Sequence, residues 1–376
     1  MSVEWARIEP EPGQWDQEAL DRYRRMIGAL RDASVEPMVT LHHFTLPRWV
    51  AREGGLLNPD YSVRFERFVS RVLESLGDLV VRWVTINEPN VLAAMGYLMG
   101  VFPPAKRNPR QAIRAHEALI EAHGRAYRAI HSLAGRRGWD AQVGVAHHLR
   151  IVEPCRPRHP GDRVGAHVLD EAFNQAFLRA LCGGVVPMGE RALIALSGAH
   201  RVDVRGTQDF LGINYYGRDR ARLSATAKEF FVRREVPRGA EVSDLGWEVH
   251  PEGLGELLRT WGRATKLPIY VTENGIADSR DAQRSSFLVR HLAQIADVIR
   301  EGIDVRGYFH WSLLDNFEWA EGYGPRFGLY EVDYTTQSRR ARPSAEVFRR
   351  IATSHRIDAS MWADHGGEPE MAWRHG

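Results

Sequence analysis

The chain has 376 residues, 44% hydrophobic and 26% charged, with 34 Gly and 19 Pro, which fits a globular protein with a large core and excludes disorder, collagen-like repeats and small disulfide scaffolds. Formal net charge is +2, and the lysines Lys106, Lys228 and Lys266 leave 47 arginines among 50 basic residues. The 48 acidic residues are interleaved with them, so the skew reads as coding bias rather than a nucleic-acid patch. Cys155 and Cys182 belong to no CxxC or Cys/His cluster and read as unpaired thiols in a reducing compartment. The start, Met1-Ser2-Val3-Glu4-Trp5, has no leader pattern, and no stretch approaches the roughly 20 apolar residues of a membrane span. The expectation is a cytoplasmic protein with neither a membrane nor a nucleic-acid partner. The 11 Trp and 16 His suit either a sugar-binding cleft or a bulky core.

In chain order, Ser2 to Trp5 reads as the tail end of a strand, and Leu20, Tyr23, Ile27 and Leu30 recur at helical spacing. Pro37 to Leu41 is an apolar run of strand length, followed by a second amphipathic helix marked by Phe65, Phe68, Val69, Val72 and Leu76. Strand-length runs recur at Arg82 to Ile86, Gln142 to Ala146, Asp209 to Ile213 and Pro268 to Val271. Leu288, Leu292, Ile295 and Ile299 mark a helix before Gly302, and Val305 to Phe309 is the next strand. A last helix is expected from about Ser344 to Ile351, and Arg356 to Gly376 reads as a tail with no strong period. This alternation predicts parallel strands with crossover helices, either as a doubly wound sheet or as a (β/α)8 barrel.

The residues after the strands favour the barrel. His43, Asn87-Glu88, His147-His148, Asn214-Tyr215-Tyr216, Glu273-Asn274 and Trp311 each follow a predicted strand. A barrel opens all its strand C-terminal ends on one face, whereas a doubly wound sheet would scatter these groups, and no GxGxxG loop follows the first strand. The expected fold is therefore α/β, a (β/α)8 TIM barrel incomplete at the N-terminus, with about six and a half of eight strands present. A single catalytic domain is expected over residues 1–355 and a C-terminal tail over 356–376.

Glu88, in Trp83-Val84-Thr85-Ile86-Asn87-Glu88-Pro89, and Glu273, in Tyr270-Val271-Thr272-Glu273-Asn274-Gly275, each end a strand beside an Asn. Paired carboxyl groups about 5 to 5.5 Å apart are what a retaining glycosidase uses. Taken singly, either motif is weak, and a strand-end Glu reads more readily as a helix cap or a salt-bridged residue. The His147-His148 pair lacks a third ligand at metal spacing and reads as local packing, so no metal and no cofactor are expected. Arg218 to Val249, with Phe230-Phe231 and Trp247, reads either as a long loop over the active face or as an inert surface excursion.

A third block widens the pattern: Tyr308-Phe309-His310-Trp311-Ser312-Leu313-Leu314-Asp315-Asn316-Phe317-Glu318-Trp319, then Gly322-Tyr323-Gly324 and Arg326-Phe327-Gly328-Leu329. With these three blocks in this order, the chain resembles glycoside hydrolase family 1, the β-glucosidase family, from about Ser2 to about Ile351. The resemblance implies that Glu88 is the general acid/base and Glu273 the nucleophile. It further implies that Asn87 binds the sugar 2-hydroxyl, His43 the 3-hydroxyl, and Glu318 the 4- and 6-hydroxyls. Tyr216 would orient the nucleophile, with Asn214 supporting the same carboxylate. Trp311 and Trp319 would stack on and contact the sugar, and Phe327 would wall the same subsite. Because a carboxylate at Glu318 repels phosphate, 6-phosphosugars are not expected as substrates.

The chain departs from the family at its start. Family members carry a first strand with a sugar-binding Gln and a second strand whose arginine lies near the nucleophile, and Met1 falls just after that arginine. The expectation is thus a barrel lacking one strand, one helix and part of a second strand, its gap covered by a second copy of the chain or by the tail with Met361, Trp362 and Trp373. A natural start upstream of Met1 is the rival explanation. The leading function is a retaining β-glycosidase acting on terminal non-reducing β-D-glucosides or oligosaccharides, with β-galactosides or β-fucosides as further substrates, in a homodimer or higher oligomer. Two alternatives stand beside it: a catalytically impaired sugar-binding or assembly protein, and a transglycosylase.

Overall fold

Local capping fixes where the helices start. The Asp16 side chain accepts from the Ala19 amide at 2.9 Å and opens the helix Gln17–Asp32. Asn108 does the same for Pro109–Arg137, where proline occupies the first turn and Gly138, at φ 69°, closes the far end in the left-handed region. The computed structural model describes residues 1–182, 204–224 and 232–367, so Phe230, Phe231 and Trp373 lie outside the described residues. Two compact units are distinguished, Met1–His148 with Glu171–Gly212, and Leu149–Asp170 with Ile213–Gly376.

In the first unit, β1 (Met38–His42), β2 (Arg82–Asn87) and the start of β3 (Gln142–Pro154) lie side by side and parallel, with Val39 opposite Trp83 and Trp83 opposite Val143. The helix Tyr61–Leu76 connects β1 to β2, and Pro109–Arg137 connects β2 to β3. Tyr61–Leu76 buries Phe65, Phe68, Val69, Val72 and Leu76, the stripe that the sequence predicts. The expected partial strand at Ser2 is a single parallel bridge to Thr40, after which Glu4 caps the short helix Trp5–Ile8. Trp5 from that helix stacks on Phe68 at 4.9 Å and donates its indole N–H to the buried Glu9 at 2.8 Å.

The second unit holds the remainder of β4 (Phe210–Leu223), then β5 (Val232–Glu235), β6 (Ile269–Asn274) and β7 (Val305–His310), with β6 and β7 parallel. The helix Pro251–Thr265 precedes β6, and Arg284–Arg300 connects β6 to β7. The strand order is β1-β2-β3-β4-β6-β7 with β5 on β4, and the strand–helix–strand succession is that of a (β/α)8 barrel with six of its strands among the described residues. A two-stranded pair, β8 (Tyr330–Val332) with β9 (Arg339–Ala341), follows β7.

Three expectations need correction. The Arg218 to Val249 stretch is not a continuous loop, because β4 runs to Leu223 and pairs antiparallel with β5, Arg220 opposite Glu235. In Arg284–Arg300 the buried face takes Val298 rather than Ile299, which is 48% exposed. The tail contains a helix, Ala359–His365, whose Asp358 accepts from the Met361 amide at 2.8 Å. Met361 is buried against Val289 of Arg284–Arg300 and against Val347 and Ile351 of the helix Pro343–Ser354. The described part of the tail therefore packs on helices of its own unit. Among the described residues, no helix is long and apolar enough to cross a membrane.

Candidate functional site

In the first unit the predicted site residues gather where β1 and β2 end, against the middle of β3. The β2–β3 register shifts between Val84 and Asn87, a bulge that turns the strand just before Glu88. Glu88 itself sits at φ 48°, ψ 59°, its amide donating to the Ala146 carbonyl at 2.7 Å, with Pro89 beginning the next short helix. A non-glycine residue in the left-handed region is uncommon, and this one is held by bonds on both sides of it. Beneath it, Thr85 donates its hydroxyl to His123 Nδ1 at 2.7 Å, and His123 Nε2–H donates to the Thr207 carbonyl at 2.8 Å. A carbonyl only accepts, so this relay has one hydrogen-bond direction and pins β2 under Glu88.

Asn87 is buried and lies 3.1 Å, amide nitrogen to Nε2, from His43, so two residues predicted to bind the sugar are brought together. Removal of His43 from water pushes its pKa down to about 4, outweighing the opposing pull of Glu88. The ring is neutral near pH 7 and accepts from the amide. Glu88 Oε1 lies 2.9 Å from His148 Nδ1, and both side chains are buried.

His148 is the residue beside Glu88 that sequence reasoning assigned to packing. The local-packing reading of the pair holds for His147, whose ring stacks on Phe177 at 5.6 Å and whose Nε2 reaches the Asn174 carbonyl at 3.1 Å. Neighbours on a strand point to opposite sides, and that alternation was the available signal that His148 faces elsewhere.

In the second unit, Glu273 ends β6 where the β6–β7 register shifts between Val271 and Asn274. Tyr216, on β4, donates its hydroxyl to Glu273 Oε2 at 2.7 Å. Asn214, fully buried, accepts from the Thr272 hydroxyl at 2.6 Å, one residue before Glu273. Asn274 donates to the Tyr215 carbonyl at 2.7 Å and accepts from the Tyr308 hydroxyl at 2.9 Å, tying β6 to β4 and β7. Gly275 follows because a Cβ there would lie 1.8 Å from the Trp311 carbonyl oxygen. The carboxylate's neighbourhood is thus fixed from three strands.

Aromatic packing backs the Tyr216 ring. Trp247 and Phe327 meet it edge-on at 5.6 and 6.1 Å, Trp311 packs against the same cluster, and Arg150 lies over Trp247 at 5.3 Å while bonding Asp219 at 2.7 Å. Phe327 is only 2% exposed, so it lies behind Tyr216 rather than open to solvent. Glu318 and Trp319, both half-buried, stand on a tight turn closed by the Glu318 amide donating to the Gly322 carbonyl at 2.7 Å. Among the described residues, no three His, Cys, Asp or Glu side chains converge as a metal site.

Each unit thus presents a strand-end glutamate at a bulge, held by a side-chain hydrogen bond. The sequence profile of the family described as Glycosyl hydrolase family 1 matches residues 1–357. This chain belongs to glycosyl hydrolase family 1. It is a glycoside hydrolase of the β-glycosidase type. It is 34% identical to Beta-glucosidase A of Thermotoga maritima, aligning 95% of this chain with 82% of that protein. It is also 34% identical to a Beta-galactosidase of Saccharolobus solfataricus, over all of this chain and 84% of the other. Among solved structures, a beta-glycosidase from Pyrococcus horikoshii superposes with TM-score 0.88 at 35% identity, covering 98% of this chain and 83% of that one. The Beta-glucosidase from Thermotoga maritima in complex with glucoimidazole gives TM-score 0.87 at 30% identity, covering 95% and 83%.

Proposed function

We propose that this family 1 enzyme hydrolyses terminal non-reducing β-D-glucosides, and β-galactosides or β-fucosides, with retention of configuration. Glu273 attacks the anomeric carbon and forms a glycosyl ester while Glu88 gives its proton to the departing glycosidic oxygen. Glu88, now a carboxylate, takes a proton from water as that water attacks the same carbon and releases Glu273. The observation that carries the reading is the 2.7 Å bond from the Tyr216 hydroxyl to Glu273, which favours the ionised form that a nucleophile needs and orients the carboxylate. The relatives named beta-glucosidase and beta-galactosidase support the substrate class.

The remaining roles follow the family resemblance. Asn87 and His43, already bonded to each other, take the 2- and 3-hydroxyls, and Glu318 takes the 4- and 6-hydroxyls. Trp311 and Trp319 contact the sugar, and Phe327 contributes by packing behind Tyr216. A reducing, cytoplasmic setting is proposed for the unpaired thiols of Cys155 and Cys182. Self-association is proposed at β7, which pairs on one side only among the described residues and leaves Phe309 41% exposed. No observation favours a sugar-binding protein without turnover.

A panel of nitrophenyl β-glycosides, followed by proton NMR of the first sugar released, tests the reading. The β-anomer should appear first from the glucoside and mutarotate later. An α-anomer first, or no turnover of any β-glycoside, contradicts it. Alcohol glycosides in place of free sugar would identify a transglycosylase.

A further inference from the structure

We propose that His148 is a positioning residue for the acid/base, donating its Nδ1–H to Glu88 Oε1 and thereby leaving Oε2 to carry the proton in both half-reactions. The inference rests on the assignment of Glu88 as acid/base. The contact is 2.9 Å between two side chains that are 6% and 7% exposed, so water competes poorly for either partner.

The backbone around the pair is fastened on both strands. Asn90, two residues beyond Glu88, donates its amide to the His148 carbonyl at 2.9 Å and to the Phe173 carbonyl at 2.9 Å. The Glu88 amide is bonded to Ala146, two residues before His148. The His148 ring meets Phe173 edge-on at 5.6 Å, which restricts its rotation. Glu88 and His148 thus hold one mutual geometry.

The direction of the hydrogen bond follows from the reaction. Glu88 must carry a proton in the first step and lose it before the second. An oxygen of a neutral carboxyl group and an oxygen of a carboxylate both accept from an N–H, so a donor at Nδ1 serves both steps without changing tautomer. An unprotonated Nδ1 would instead take the proton that Glu88 has to deliver to the substrate. Of the other titratable groups on the neighbouring elements, His43 after β1, His147 on β3 and His116 on Pro109–Arg137 are held by burial at about 4, 3 and 4. They stay neutral between pH 5 and 8.

A donor to the carboxylate stabilises the ionised form of Glu88. Without it Glu88 holds its proton to higher pH, and the alkaline limb of kcat/KM moves upward. The expected displacement is about one pH unit, a tenfold change in the ionisation constant. The fixed oxygen orientation is lost as well, so kcat should fall about tenfold with KM little changed.

His148→Leu and His148→Asn make the test, since their side chains are nearly isosteric and only asparagine can donate where Nδ1 stood. The leucine variant should show the displaced alkaline limb and the asparagine variant should restore it, with active-site titration removing any misfolded fraction. His148→Ala supplies the donor-free reading if the leucine variant does not fold. A donor-free limb at the wild-type pH, or equal displacement in the leucine and asparagine variants, overturns the proposal.

Glu88→Gln separates this failure from failure of the underlying assignment. If Glu88 is the acid/base, that variant loses far more activity on glucosides with poor leaving groups than on dinitrophenyl glucoside, and added azide yields β-glucosyl azide. If it shows neither, the assignment of Glu88 falls and the role of His148 falls with it.

Discussion

Replacing Tyr216 by Phe removes one oxygen and leaves the ring in place. The ring's contacts to Trp247 and Phe327, at 5.6 and 6.1 Å, survive, so the substitution isolates the 2.7 Å donor to Glu273. A hydrogen bond to a charged acceptor contributes about 1.5 to 3 kcal/mol. At about 1.36 kcal/mol per pH unit, its loss should move the acidic limb of kcat/KM upward by about one to two units. The sign is fixed: the donor favours the carboxylate, activity requires the carboxylate, and the variant therefore protonates its nucleophile at higher pH. At neutral pH the loss of orientation should lower kcat/KM about tenfold to a hundredfold. The assay is a pH–rate profile on an aryl β-glucoside beside a thermal melt. An acidic limb within about 0.3 units of wild type, with kcat/KM changed less than about threefold, would refute the assignment of Tyr216 as the residue orienting the nucleophile.

Three further outcomes are expected. Met361→Ala should destabilise the protein by about 2 to 5 kcal/mol in urea unfolding while leaving kcat unchanged, because its side chain is 1% exposed against Val289, Val347 and Ile351. Gly275→Ala should abolish activity and lower the melting temperature sharply, because the added Cβ would lie 1.8 Å from the Trp311 carbonyl oxygen, and wild-type melting would contradict the packing described. Burial holds His42, His43, His116 and His123 at about 4 and His147, His291 and His310 at about 3. Their unfolded forms bind protons near pH 6.5. The unfolded chain therefore takes up more protons as pH falls, and stability fully present above about 6.5 declines progressively towards pH 4. A melting temperature constant from pH 7 to 4.5 would contradict this.

Elements with strong apolar periods were legible in the sequence. Phe65, Phe68, Val69, Val72 and Leu76 declared their helix, and each full strand predicted is present, with β3, β4 and β6 running beyond their predicted ends, whereas the partial strand at Ser2 shrinks to one bridge. Glu88 and Glu273 stood out as candidates because each lies in a short local motif at a strand end. His148 did not, because its partner lies sixty residues away in sequence and the pair is formed by strand register, which no local spacing encodes. The Ala359–His365 helix escaped for a different reason: seven residues are too few for a period, and one buried methionine with one aspartate cap holds it. The choice of Val298 over Ile299 for the buried face of Arg284–Arg300 likewise follows from tertiary packing, since both are apolar and adjacent.

The central claim is that Glu273 forms a covalent glycosyl-enzyme. A 2-deoxy-2-fluoro-β-glucoside with an activated leaving group slows both steps but the second more, so the ester accumulates and can be located by mass spectrometry of the digested protein. Attachment of the fluorosugar to Glu273, with activity lost in step with labelling, is the predicted result. Attachment to any other residue, or full inactivation without a covalent adduct, would contradict it.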